Sequence, residues 1–203
     1  MLRIVAWIFS VVFHPLLLPT YTLLLTDYAD PYRFAGLDYS RKLKFFGMVA
    51  MNTFCFPVLA VLLLWRLNLV RHITLSEREE RTLPYVALSM FFFWTFMVVR
   101  SLELDTLITT FFLGAAITVF ACFFLNLFMK ISAHTAGAGL FTFFTILLAS
   151  ASPYNIEALL IGVMILSGVI GSSRMYLRAH TSLEIYSGYA TGVLGMMMAI
   201  RFI

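Results

Sequence analysis

Leu107–Phe128, LITTFFLGAAITVFACFFLNLF, runs for 22 residues without a charge. At 1.5 Å per residue, about 20 apolar residues in a helix cross the roughly 30 Å hydrocarbon core of a bilayer. Lipid offers no partner to backbone N–H and C=O groups, so such a run closes its hydrogen bonds as a helix. It is too long, and alternates too little, for a barrel strand.

Six further apolar runs flank it, at 4–25, 45–65, 85–99, 135–151, 157–173 and 184–203. The first is interrupted by His14, Pro15 and Pro19 and lacks a small-residue cleavage site, so it reads as a retained, kinked helix. The sequence therefore predicts an all-α fold, a polytopic transmembrane bundle of six to seven helices in one domain, 1–203. Composition agrees. Of 203 residues, 62% are hydrophobic and 12% charged, against about 25% charged in soluble domains. A soluble chain this short cannot hide so much apolar surface, which excludes a soluble enzyme, a disordered tail and a nucleic-acid module. Cys55 and Cys122 lie inside apolar runs and read as small buried hydrophobes.

The polar stretches between the runs carry the chemistry. Residues 66–84, RLNLVRHITLSEREERTLP, hold the densest charge. MKISAHT lies at 129–135, and SRMYLRAHTSLE at 173–184. Two helices separate the first stretch from the second, and two more separate the second from the third. Even numbers of crossings return the chain to the same side, so all three stretches share one face. They bring His72, His134 and His180 together with Arg71, Arg78, Arg81, Lys130, Arg174 and Arg178. Cations beside a membrane core are costly and mark function. Converging with histidines they suit a phosphate, which Arg can grip with both arms of its fork. Histidines add a nucleophile and a general acid. Glu184 follows His180 by four residues, on the same helix face, and can orient its ring. Thr181-Ser182-Leu183-Glu184 also fits a capping box, and both readings are compatible.

These stretches resemble the type 2 phosphatidic acid phosphatase superfamily of membrane lipid phosphatases. That family's third motif is SRxxxxxHxxxD, which SRMYLRAHTSLE resembles at Ser173, Arg174 and His180, with Glu184 in place of Asp. Ile131-Ser132-Ala133-His134 is similar to its second motif, PSGH. Its first motif, KxxxxxxRP, has its nearest counterpart in 71–84. There Arg71 and Arg78 keep the spacing, while Arg81 stands three residues before Pro84. The resemblance covers about 71–188. It implies that His180 attacks phosphorus to give a phosphohistidine, that Glu184 orients it, and that His134 protonates the leaving group. It also implies phosphate ligands at Ser132, Ala133, Arg174 and Arg78 or Arg81, and no metal or other cofactor. The first-motif lysine is absent, with Arg71 its replacement in that register, and Lys130, just before the second motif, is a further candidate for the missing cation. The expected partner is a phosphorylated lipid within the bilayer, and no nucleic acid. The alternatives are a catalytically degenerate binder or transporter of anionic lipids, and a haem protein with histidine ligands.

The motif side, counted with the N-terminus, carries eight cations against six on the other side. Lys and Arg gather in cytoplasmic loops. Setting aside Arg78, Arg81, Lys130, Arg174 and Arg178 as site residues leaves three against six. That count puts the site outside, on the periplasmic face of a bacterial inner membrane. Elsewhere the blander reading is preferred. His14 is a satisfied polar group at a kink, and His72 is solvated. Ser76-Glu77-Arg78-Glu79 forms a capping box. Trp65 and Tyr85 sit in interfacial belts, and the Phe91-Phe92-Phe93 run faces lipid or packs. Gly188, Gly192 and Gly195 form a packing face on the last helix.

Overall fold

The computed structural model describes residues 2–75 and 77–203, and those residues form helices and turns with no strand. Ser76, part of the expected capping box, lies outside the described residues. In chain order come α1 (Leu2–Val12), α2 (Leu18–Ala29), α3 (Tyr39–Ala50) and α4 (Phe56–Arg66), then α5 (Thr82–Ser101), α6 (Thr106–Asn126), α7 (Ala133–Ala151), α8 (Glu157–Tyr176) and α9 (Ser182–Phe202). α3 and α4 are halves of one 28-residue helix, Tyr39–Arg66, joined by a π-helical turn at Met51–Cys55. Pro57, just inside α4, has no N–H to give the carbonyl of Thr53, and the helix widens in the turn before it.

Among the described residues, five helices are long and apolar enough to cross a membrane: Tyr39–Arg66, Glu79–Ser101, Thr106–Asn126, Ala133–Ala151 and Glu157–Tyr176. That is the mark of an integral membrane protein. Two of the expected spans differ from the sequence reading. The first run is not one kinked helix but two, of 11 and 12 residues, broken around His14-Pro15. α1 packs along α8, whereas α2 packs against α7 and α3. α9 has 21 residues but is diluted by glycine and serine. One face of it packs most closely of all, against α7 and α6, while Leu183, Tyr186, Leu194, Met197 and Met198 remain exposed on the other.

Glycine makes that packing possible. A Cβ at Gly192 would collide with the carbonyl of Ala136, and one at Gly188 with Thr135 Oγ1 and the carbonyl of Ser132. Buried threonines satisfy themselves within their own helices. Thr22, Thr53, Thr95 and Thr145 each donate to the carbonyl four residues back, at 2.7–2.9 Å, which makes a hydroxyl tolerable in an apolar setting.

The two ends of the bundle differ. The main apolar core, with Phe45, Val99, Ile108, Phe111, Phe144 and Leu148, fills the half away from the three polar stretches. The charges at that end neutralise each other. Lys42 pairs with Asp27 at 2.8 Å, and Arg33 bridges Asp30 at 3.0 Å and Asp105 at 3.1 Å. Asp105 also caps α6 by accepting the N–H of Leu107.

Candidate functional site

The site is assembled from helix ends. α8 terminates in a Schellman arrangement: Arg178 N–H bonds Met175 O at 2.9 Å, and Ala179 N–H bonds Arg174 O at 3.1 Å. Arg178 takes the left-handed conformation this requires, with φ 54°. The turn folds the chain back on itself, and it explains why five residues separate Arg174 from His180. α9 then starts with the expected capping box. Glu184 Oε2 accepts from the N–H of Thr181 at 3.2 Å and from His180 Nδ1 at 2.8 Å. One carboxylate both caps the helix and orients the imidazole.

The other two stretches dock onto this one. Ser132 N–H bonds the carbonyl of Glu184 at 3.4 Å, and Thr135 Oγ1 donates to Ile185 O at 3.0 Å. Arg81 reaches Leu75 O at 2.7 Å through Nε and Ile131 O at 3.0 Å through Nη1. Arg78 donates to the carbonyls of Leu127 and Phe128 and to Glu79, while Asn126 Nδ2 returns a bond to Arg78 O. The three stretches therefore lie at one end of the bundle, as helix parity requires.

They enclose a cavity of about 340 Å³. Its polar end is lined by Arg81, Ala133, His134, Arg174 and His180. Its remaining wall is apolar and descends through Tyr85, Leu88 and Phe92 of α5 and Cys122, Ala115 and Phe111 of α6. From Arg81 to Phe92 is eleven residues, or about 16 Å along a helix axis. Leu62 and Ile73, both exposed, rim it. The shape suits an amphiphile: a polar head among cations and histidines, with a tail along the apolar wall.

Each expected site residue has a definite place. His180, His134, Arg174, Arg81 and Ala133 line the cavity, and Glu184 acts on it through His180. Ser132 is fully buried as the N-cap of α7, accepting from Thr135 N–H, and is not part of the lining. Arg78 and Lys130 also lie outside the lining, and Arg78 is spent on backbone carbonyls and Glu79. Of the two arginines considered for the first stretch, the cavity takes Arg81. His72 is exposed, as expected. Tyr85 departs from the interfacial reading. It is 6% exposed and forms cavity wall, because one turn of α5 carries it inward from Arg81.

The electrostatics single out Arg174. Its Nε is buried, with no hydrogen-bond partner among the described residues. A buried donor on a cation left unpaired costs several kcal/mol, of order 3 or more. Arg81, lining the same cavity, adds like charge. Burial and these two guanidiniums hold the His180 imidazole down, to about 4, against the opposing pull of Glu184. His180 is therefore neutral at pH 7. With Nδ1–H given to Glu184, its Nε2 carries the free lone pair. His134 is set in the same manner. Its Nε2 lies 3.0 Å from the carbonyl of Ser10, which can only accept, so Nε2 holds the proton and Nδ1 is open. Among the described residues, no three His, Cys, Asp or Glu side chains group as a metal site would require.

Two contributors went unread in the sequence, the carbonyl of Ser10 and the ring of His14, which also lines the cavity. Both come from the α1–α2 break, more than 110 residues from His134. The available signal was an imidazole just before Pro15 in an apolar run, since ionisable groups at membrane depth default to function. No family model, curated protein or solved structure matches the chain.

Proposed function

We propose that the chain is a membrane phosphatase that removes a phosphate, or the terminal phosphate of a pyrophosphate, from a lipid through a phosphohistidine. One observation carries the reading. Arg174, half-buried and with its Nε buried and without a hydrogen-bond partner among the described residues, shares a cavity with an imidazole oriented by a carboxylate, His180–Glu184. The first is what an anion needs, and the second is what a nucleophile needs.

In this reading Arg174, Arg81 and the unbonded amides at the start of α7 hold the phosphoryl oxygens. The Nε2 lone pair of His180 attacks phosphorus, and the bond from phosphorus to the lipid oxygen breaks. His134, which takes up a proton at Nδ1 once the phosphate anion offsets the two guanidiniums, delivers it to that oxygen, and the lipid alcohol, or for a pyrophosphate the lipid monophosphate, leaves. Water then attacks the phosphohistidine, giving its proton to His134. The P–N bond breaks, inorganic phosphate departs, and His180 is neutral again. Glu184 holds the Nδ1 proton throughout and stabilises the charge that develops on the ring. The apolar wall keeps the tail in a bilayer-like setting. Counting α9 and the α1–α2 pair as membrane elements gives seven, and the charge count with the site cations set aside favours a site on the outer side, the periplasmic face if the membrane is a bacterial inner one.

A second reading, an anionic-lipid binder without turnover, draws support from Ser132, Arg78 and Lys130, which lie off the cavity. Phosphate release separates the two. Purified protein in detergent with excess chelator would be tested against phosphatidic acid, phosphatidylglycerol phosphate and polyprenyl pyrophosphate, beside His180→Ala. Chelator-resistant release that disappears in the variant is the expected result. Binding without release by either protein would overturn the phosphatase in favour of the binder.

A further inference from the structure

The reaction above leaves one histidine of the cavity unused. His14 lines the same cavity as His134, Arg174 and His180. Its ring meets that of His134 edge to face, with centroids 5.2 Å apart and planes at 79°. His14 Nδ1 accepts the backbone N–H of Leu16 at 3.3 Å. A neutral imidazole that accepts at Nδ1 keeps its proton on Nε2. Among the described residues nothing accepts that N–H.

The position is built. The bend is closed by Leu17 N–H to His14 O at 2.9 Å and Leu18 N–H to Pro15 O at 3.3 Å. It seats on α7 at Gly137, where a Cβ would come within 2.6 Å of Leu18 Cδ1 and 3.3 Å of Pro15 Cβ. Gly137 lies about one helical turn from His134. Ser10 O, from near the end of α1, accepts from Nε2 of the His134 ring at 3.0 Å. A ring N–H that lines a cavity and has no protein acceptor is free to bond what enters. It is useful where an oxyanion arrives to accept from it.

We propose that His14 is a third imidazole of the anion site, and that its Nε2–H donates to an oxygen of the phosphate group gripped by Arg174 and Arg81. The inference rests on reading the cavity as a phosphate site, and not on that site being hydrolytic. The ligand chemistry is a phosphate oxyanion, either free or at the head of a lipid.

The test is titration calorimetry of the purified full chain in detergent, with inorganic phosphate and, separately, with short-chain phosphatidic acid. His14→Phe keeps a ring in place but has no donor, and His14→Gln returns an amide N–H near the position of Nε2. The Phe variant should bind both probes about tenfold more weakly, and the Gln variant should recover most of that loss. If the Phe variant fails to fold, His14→Asn, whose shorter amide cannot reach the Nε2 position, should bind as weakly. A loss shared by both probes places the contact on the phosphate itself, and a loss confined to the lipid probe places it on the glycerol ester and overturns the inference. Wild-type affinity in the Phe, Asn and Gln variants overturns the inference, even where hydrolysis of lipid phosphates stands. His14-dependent binding without phosphate release overturns the phosphatase and leaves the inference standing. If wild type and Arg174→Gln bind the probes identically, both fall.

Discussion

Glu184 shows how much one carboxylate does here. Its Oε2 accepts from a backbone amide of its own helix start and from the ring nitrogen of His180. Glu184→Gln retains an acceptor for the Thr181 amide but loses the charge that supports an imidazolium. Turnover should fall roughly 10²- to 10⁴-fold, as in other carboxylate–histidine pairs, with little change in KM and in the thermal transition. Steady-state kinetics beside a melting curve would check this, and equal losses of stability and activity would count against it. His180 also sets a pH expectation. Held down to about 4 by burial, it stays neutral across the range where a free histidine titrates. The limb of kcat/KM that reports the nucleophile should stay level from pH 8 to 5 and fall near 4. The stability sign follows from linkage. Between about 6.5 and 4 the unfolded chain binds a proton that the folded one refuses, so stability is lost as pH falls through that window.

At the level of elements, the ends of helices matter more than their middles. The backward turn after α8 delivers His180, and a non-glycine residue pays for the left-handed step there. Arg178→Gly should relieve it and raise stability by about 1 kcal/mol, read as a higher melting temperature with activity retained. Unchanged or lower stability would mean that the Arg178 side chain contributes more than its backbone costs. α9 makes the opposite case. It approaches α7 closely enough that Gly192 has no room for a methyl group. Gly192→Ala should destabilise by about 1–3 kcal/mol, whereas the same change at Gly168, with open space around it, should be near neutral. Melting the two variants side by side in one detergent would compare them.

In the whole molecule, stability and chemistry occupy different halves. One end is packed with aromatic residues and laced by Arg33, Asp30, Asp105, Lys42 and Asp27. The other is hollow and leaves Arg174 without a partner among the described residues. This division lets a rigid half hold the open one in shape. It also predicts how tail and head contribute to binding. Val61 of α4 is in the apolar wall. Val61→Trp should narrow the wall and raise KM for a long-chain lipid phosphate about tenfold, since each buried methylene is worth about 0.8 kcal/mol. A short, water-soluble phosphate ester should be turned over as before. Equal effects on both substrates would show that the apolar wall does not hold the tail.

Much of this was legible in the chain itself. Charge-free runs long enough to span a bilayer leave only helices as a solution, and α5 to α8 follow at the expected places. Helix parity put 66–84, 129–135 and 172–184 at one end without any knowledge of packing. The four-residue step from His180 to Glu184 pointed to their bond, although His180 stands just outside α9 and the bond forms because Glu184, closing the capping box, turns back over the helix start. Tertiary structure alone decided which of Arg78, Arg81 and Lys130 reaches the cavity, since one turn of helix or one backbone carbonyl redirects a long side chain. It turned Ser132 into a buried cap and Tyr85 into cavity wall. It made the most closely packed helix of the bundle from a glycine-rich segment that falls short of the apolar spans. Above all it brought Ser10 and His14 to His134, a pairing that depends on how a proline-broken helix folds back and that no local spacing encodes.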